Sequence, residues 1–373
     1  MKTKEQSGLI SLPGGFGQLV LSGARPLIGI LLGLLAGAVL IAFSGVNPLA
    51  AYAAMLKGAI GSPQSIANVL VRASPLLLTG VGVAIGIKAG LWNVGVEGYM
   101  YMGAIGAGAV GIASLPVPPI IHITLALLAG AVVGGLWGLL PAYLRAYRGV
   151  NEVVTMIMMN YVAQYFVSWM VHDPQPLAEP GAFFPMSRIL APTAKLPILM
   201  PGTSLHPGFI MGLAACIFLY LVIRFTTFGF RTRMLGANPE AARYAGVNVK
   251  RQILLVLLIG AMMGGVAGAV EVMGLKMRVY QDFVAGVGFE GVAVALLAAG
   301  NPLGVIASAL FFSAVKTGGA AMSVATGVGG PMTVVIEALC VIFVIGVGYG
   351  EHKRFERADK AEKKDEEVIQ HVG

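Results

Sequence analysis

The sequence predicts an all-α, polytopic membrane protein with about ten transmembrane helices, and three observations carry that expectation. Of its 373 residues, 57% are hydrophobic and only 11% are charged, whereas a soluble domain carries about 25% charged residues. The apolar residues come in long continuous runs rather than in the alternation of a barrel strand, and lipid admits only helices and closed barrels. The few charges gather in the segments between those runs.

Ten runs are long enough to read as spans: 27–44, 74–91, 95–113, 120–144, 152–172, 207–225, 252–272, 284–299, 303–320 and 332–350. Residues 1–26 form a cytoplasmic N-terminal segment, 27–350 the transmembrane domain and 351–373 a charged cytoplasmic tail. The first run carries Gly29, Gly33 and Gly37 at four-residue spacing, a smooth face for close helix contact. Gly103, Ala107 and Gly111, and Gly264 with Gly268, follow the same logic. Between the first two runs, residues 45–73 lie outside the membrane with a short helix after Asn47-Pro48. A second outer segment, 173–206, holds seven prolines from Pro174 to Pro201 and reads as a stiffened, irregular loop. Most of the 25 basic residues fall on one side if the N-terminus is cytoplasmic and the spans alternate, so the orientation is N-in, C-in.

Several chemistries are excluded. Cys216 and Cys340 lie far apart in apolar runs, as small buried hydrophobes, and no metal-binding spacing occurs. The net charge of +8 sits in short loops, where it sets orientation rather than binding nucleic acid. No Gly-Lys dipeptide occurs, so there is no loop of the type that cradles nucleotide phosphates. Gly286, Gly288 and Gly291 fit the dinucleotide pattern but follow no strand.

Two similar stretches stand out, Asn93-Val94-Gly95-Val96-Glu97-Gly98 and Val287-Gly288-Phe289-Glu290-Gly291. With alternating spans they enter the membrane from opposite faces. That suggests an inverted repeat, spans 2–5 against 7–10, an architecture of transporters. The ionisable residues near the spans are Lys88, Glu97, Glu152, Glu271, Glu290, Lys316 and Glu337, and intramembrane charges are functional candidates. Glu97 and Glu290 each have two uses open to them: capping a helix N-terminus through backbone N–H groups, or touching a solute in the pathway. Asn93, Asn160 and Gln164 add uncharged polar capacity, suited to a neutral hydroxylated solute or nucleobase, or to hydrogen bonds between helices.

The cytoplasmic loop 226–251 has the clearest local signal. Asn238 is a good N-cap, Pro239 fits the first helical position, Glu240 and Arg243 complement the helix dipole, and Gly246 is a stop. A two-turn helix over about 239–245 follows. Glu240-Ala241-Ala242 followed by Gly246 resembles the coupling-helix motif of ATP-binding-cassette import permeases. The context GANPEAARYAGVNV is similar to that of the simple-sugar and nucleoside class, relatives of branched-chain amino-acid permeases. RASPLLLTGVGVAIGIKAGLWNVGVEG (72–98), NEVVTMIMMNYVA (151–163) and VGFEGVAVALLAAGNPLGV (287–305) agree, and the whole is most similar to the longer permease of paired nucleoside-type systems. The chain departs from the family pattern at Trp92-Asn93-Val94 and Tyr99, where Phe-Asn-Ile and Gln are usual.

The resemblance implies a permease subunit, not an enzyme, in a bacterial cytoplasmic membrane. It binds no cofactor itself, and ATP is hydrolysed by a separate ATPase subunit that grips Asn238, Pro239, Glu240, Ala241, Ala242, Arg243 and Gly246. A second permease, different or identical, and an extracytoplasmic solute-binding lipoprotein complete the importer. Its contacts are with lipid and these partners, not nucleic acid. The alternative is an ion-coupled secondary transporter, with Glu97 or Glu290 carrying a proton.

Overall fold

A computed structural model describes residues 16–347 apart from residue 285, with side chains from Leu27 onward. The charged tail 351–373 and the start of the N-terminal segment lie outside the described residues. Along the chain run α1 (Phe16–Phe43), α2 (Pro48–Ile60), α3 (Pro63–Lys88), α4 (Val96–Ile112), α5 (Pro119–Tyr143), α6 (Glu152–Met170), α7 (Gly208–Phe225), α8 (Thr227–Ala237), α9 (Pro239–Tyr244), α10 (Val249–Glu271), α11 (Val287–Leu297), α12 (Pro302–Thr326) and α13 (Pro331–Val347). Two isolated bridges, Ala178 with Ser187 and Met186 with Tyr280, are the only strand-like pairings among the described residues.

Each expected span coincides with a helix, but the helices are not equal. Among the described residues, five helical stretches are long and apolar enough to cross a membrane alone: Pro63–Lys88, Pro119–Arg148, Gly208–Phe225, Val249–Lys276 and Pro302–Thr326. A sixth is reached if Leu27–Phe43 and Pro48–Ile60 count as one span. Three differences from the sequence reading have local causes. Helix α1 begins at Phe16, inside the segment expected to precede the first span. Helix α3 begins at Pro63, well before the expected 74, because Ser62 accepts a bond from Ser65 N at 3.0 Å and Pro63 fills the first helical position. The polar Gln64 to Asn68 stretch hides this start from hydropathy. Helix α8 lies inside the expected loop 226–251, started by Thr226, whose hydroxyl accepts from Gly229 N at 3.1 Å.

The chain divides into two units, residues 1–48 with 331–373, and residues 49–330. In the first, the small-residue face of α1 meets α13. A Cβ on Gly29 would fall 2.5 Å from Val344 Cα, and one on Gly33 2.5 Å from Cys340 Cα. The order of these contacts makes the pair antiparallel.

In the second unit, α10 packs on α3, α4 and α5. Gly265 is a point of convergence: Gly103 of α4 and Gly130 of α5 both abut its backbone, and Gly134 Cβ would lie 2.6 Å from its Cα. Three helix backbones touch there because none carries a side chain, the form of helix association expected in lipid. Gly268 sits against Met100 O, while Gly111 faces Leu190 of the 173–206 segment rather than another helix.

This packing sets two helices that do not run the bundle's length. After α3 the chain turns at Gly90 (φ 70°) and doubles back. Asn93 Nδ2 donates to Gly82 O at 3.3 Å, so α4 starts part-way up α3. Asn160 of α6 holds that start, accepting from Gly98 N at 2.9 Å and donating to Val94 O at 2.9 Å. Helix α4 then runs to the 173–206 end, where Ala191 N donates to Gly111 O at 2.8 Å. Helix α11 starts at the same depth, with Gly288 pressed against Glu97, and runs the other way until Lys88 Nζ lies 3.5 Å from Ala299 O. The two similar stretches therefore do not sit at opposite faces. They meet inside the bundle and their helices diverge.

The meeting point is closed by one carboxylate. Glu97, in the first turn of α4, accepts from Gly286 N and Gly288 N of α11, each at 2.8 Å. Gly286 has φ 88°, the conformation that turns those amides inward and that a side chain disfavours. Of the two uses open to Glu97, the helix cap is the one realised.

Two stability predictions follow from these bonds. Charge-assisted bonds are each worth about 1.5–3 kcal/mol, so Glu97→Ala should destabilise the protein by about 3 kcal/mol in mixed-micelle unfolding, and Glu97→Gln by less because one amide retains an acceptor. His206, in the segment before α7, is buried, accepts from Gly208 N at 3.1 Å, and burial lowers its pKa from 6.5 to about 4. The unfolded chain binds this proton more readily, so stability should fall as pH drops from about 6.5 towards 4 and be flat above that window. His206→Leu should flatten the profile.

Candidate functional site

The loop between α7 and α10 is built from three caps in succession. Thr226 opens α8. Asn238 Oδ1 accepts from Glu240 N at 2.9 Å and Ala241 N at 3.1 Å, opening α9, and Asn248 Oδ1 accepts from Arg251 N at 3.1 Å, opening α10. Pro239 occupies the first position of α9 and Gly246 (φ 81°) ends it, with Val247 N returning to Ala242 O at 3.0 Å. Ala242 and Val247 are buried, whereas the remainder of α9 is exposed, with Tyr244 at 91%. The expected helix over 239–245 is present.

Helix α9 rests on a rigid base. Gln252 Nε2 of α10 donates to Thr232 Oγ1 at 2.8 Å and Phe228 O at 3.2 Å, locking α8 to α10 in a buried site. Gly236 of α8 lies against Lys88 O, and a Cβ on Gly90 would meet Gly236 Cα at 3.4 Å. Through α8, the base of α9 is thus in contact with the end of α3 and the start of α10. Glu240 and Arg243 approach to 3.6 Å but both are about two-thirds exposed. An exposed pair contributes under about 1 kcal/mol, so beyond complementing the helix dipole the two charges add little to the fold, and both face outwards.

The second feature is a cavity of about 520 Å³ between α3, α10, α11 and α12, bordered by Ser204 of the 173–206 segment. Its walls carry Arg72, Glu271, Lys276, Glu290 and Lys316, beside Phe283, Val284 and Val287. Lys276 lies 3.9 Å from Glu271, and Lys316 pairs with Glu290. The hydroxyls of Ser313 and Thr317 are buried at this wall without a hydrogen-bond partner.

Of the five pathway candidates, the cavity takes in Glu290 alone. Asn93 and Asn160 are buried and bind backbone carbonyls and an amide around the start of α4. Glu97 caps α11. Gln164 reaches Asp282 Oδ1 at 2.6 Å, tying α6 to the segment before α11. Glu97 and Glu290, alike in sequence, are thus unlike in use: one serves a helix end and the other a cavity wall. Sequence reasoning singled out Glu271 and Lys316 only as ionisable and passed over Ser313 and Thr317. The signal was present, since Ser313, Lys316, Thr317 and Ala320 fall at i, i+3, i+4 and i+7 and share one face of an apolar helix.

The sequence is similar to known proteins over most of its length. Residues 65–345 match the family described as branched-chain amino acid transport system / permease component. The chain is 35% identical to the guanosine ABC transporter permease protein NupP of Bacillus subtilis strain 168 over 86% of its length and 92% of that protein. It is 33% identical to the glucose ABC transporter permease protein TsgB13 of Haloferax volcanii over 87% of each chain. It is 31% identical to the nucleoside ABC transporter permease protein NupB of Lactococcus lactis subsp. cremoris over 92% of its length and 97% of that protein. The match spans the half-length helices, the cavity and the exposed α9 alike, and the chain belongs to this family of ABC transport-system permease components, as a multi-pass permease subunit of the cytoplasmic membrane with no nucleotide-hydrolysing motif of its own.

Proposed function

We propose that this subunit imports a nucleoside or a simple sugar by alternating access, driven by an ATPase subunit docked on α9. The observation that carries the reading is the construction of α9: capped by Asn238, stopped by Gly246, exposed on its outer face and seated on a base that joins α3 and α10. ATP-driven closure of the ATPase pair would move α9, and α3 and α10 would pass the displacement to the junction of α4 and α11. A bundle that places two half-length helices end to end has an interior hinge for such a change.

Ten membrane passes with N-in, C-in orientation belong to this reading, which the gathering of basic residues at the α9 end supports. Under that orientation the cavity borders the outer 173–206 segment, on the side where a solute-binding lipoprotein would deliver solute. A second permease completes the pathway, a different chain being favoured by the similarity to the longer member of paired systems. The nucleoside and sugar classes come from the names of the relatives. A proton-carrying secondary transporter fits less well, because Glu97 is committed to backbone amides and Glu290 to Lys316.

The test separates coupling from folding. Gly246→Val, at a φ of 81° that a β-branched residue resists, and Glu240→Ala should lower ATP-dependent uptake of guanosine or glucose by tenfold or more in proteoliposomes. Membrane insertion and thermal stability should stay near wild type for Glu240→Ala. Undiminished uptake by both variants would remove α9 as the coupling element.

A further inference from the structure

We propose that the cavity between α3, α10, α11 and α12 is a solute-binding site housed within this one subunit, and that it holds the hydroxyl-bearing ring of a neutral solute. The inference rests on the import reading above and adds where the solute is held and by which groups. At about 520 Å³ the cavity has the size of a small-molecule site. All its walls belong to the unit 49–330.

The charges argue for a neutral ligand. Glu271 stands beside Lys276 and within the field of Arg72, and Glu290 beside Lys316, so each carboxylate has a counter-charge at hand and each cation a carboxylate near it. A metal ion would need carboxylates without ammonium neighbours, and a phosphate would need cations without carboxylates. A carboxylate presents about four lone-pair sites, and one lysine contact leaves most of them for other donors. Hydroxyl groups, which both donate and accept, match such a wall.

The second, independent observation is the pair of orphaned hydroxyls. Ser313 Oγ and Thr317 Oγ1 lie one helical turn apart on α12, flanking Lys316, and both are buried without a partner. Leaving such a group unpaired is costly; the two oxygens lie just beneath the cavity wall, where a χ1 rotation on solute entry would turn them to it and give each a partner. Phe283, Val284 and Val287 supply an apolar surface for the face of a ring. A sugar, free or in a nucleoside, presents this combination of vicinal hydroxyls on a compact ring.

The test uses the complete importer in proteoliposomes, comparing guanosine with 2′-deoxyguanosine and 2′,3′-dideoxyguanosine, and glucose with 2-deoxyglucose. The same binding protein is present throughout, so its own selectivity cancels between wild type and variant. Ser313→Ala combined with Thr317→Val should cut kcat/KM for the hydroxylated solute about tenfold. It should leave the deoxy analogue nearly unchanged, erasing the discrimination that wild type shows, and Glu290→Gln should act in the same direction. Ala320→Trp, on the exposed part of the wall, should block uptake while basal ATP hydrolysis by the complex persists, and it decides the matter if the double variant does not fold. Wild-type uptake and discrimination in all these variants would overturn the site while leaving the import reading intact. Failure of the wild-type complex to import any of these solutes would overturn the import reading and the site with it.

Discussion

The Glu97 carboxylate binds two amides at the start of a helix almost two hundred positions later in the chain, and the interior of the larger unit depends on that bond. A helix that begins inside an apolar bundle leaves its first N–H groups in need of acceptors from the protein. Glu97 supplies Gly286 and Gly288 with an acceptor and places a negative charge on the positive end of α11. The start of α4 meets the same need with Asn160, a neutral side chain that accepts from Gly98 and donates to Val94. Each half-length helix is thus closed by a side chain from another helix, so the two ends are fixed to one another rather than to solvent.

That constraint explains the glycines around it. Gly288 must carry no side chain for the α11 backbone to reach Glu97, and Gly98 lies so close to Asn160 that a Cβ would fall 2.8 Å from its Oδ1. The convergence of α4, α5 and α10 on Gly265 then fixes α4 along its length. Helix α11 has a different neighbourhood: it lies along α3 and α12, with Glu290 turned to Lys316 and the cavity. One end of the pair is therefore tightly packed, and the other borders open space where a solute fits.

Much of this was legible in the sequence, for reasons that particular residues make plain. Continuous apolar runs located ten helices because hydropathy reports removal from water, whether into the bundle or against lipid. Asn238, Pro239 and Gly246 located α9 because caps and stops are local chemistry, read from neighbours in the chain. The starts of α3 and α8 were missed because polar residues there mimic loops. The alikeness of the two glycine–glutamate stretches pointed to a relation but could not say that they touch, since contact between Glu97 and Gly288 is set by the packing of α3, α4 and α10. The cavity was hidden for the same reason: Glu271, Lys276, Glu290 and Lys316 come from three separate segments, and only folding brings their charges to one wall.

The central claim is that Glu97 satisfies the first amides of α11, and hydrogen–deuterium exchange read on the peptide covering residues 284–292 tests it most directly. In wild type these amides should exchange slowly, and Glu97→Ala should accelerate them at least tenfold while peptides from α3 and α10 stay protected. Equal exchange in the two proteins would contradict the account, because α11 would then hold its start without the carboxylate.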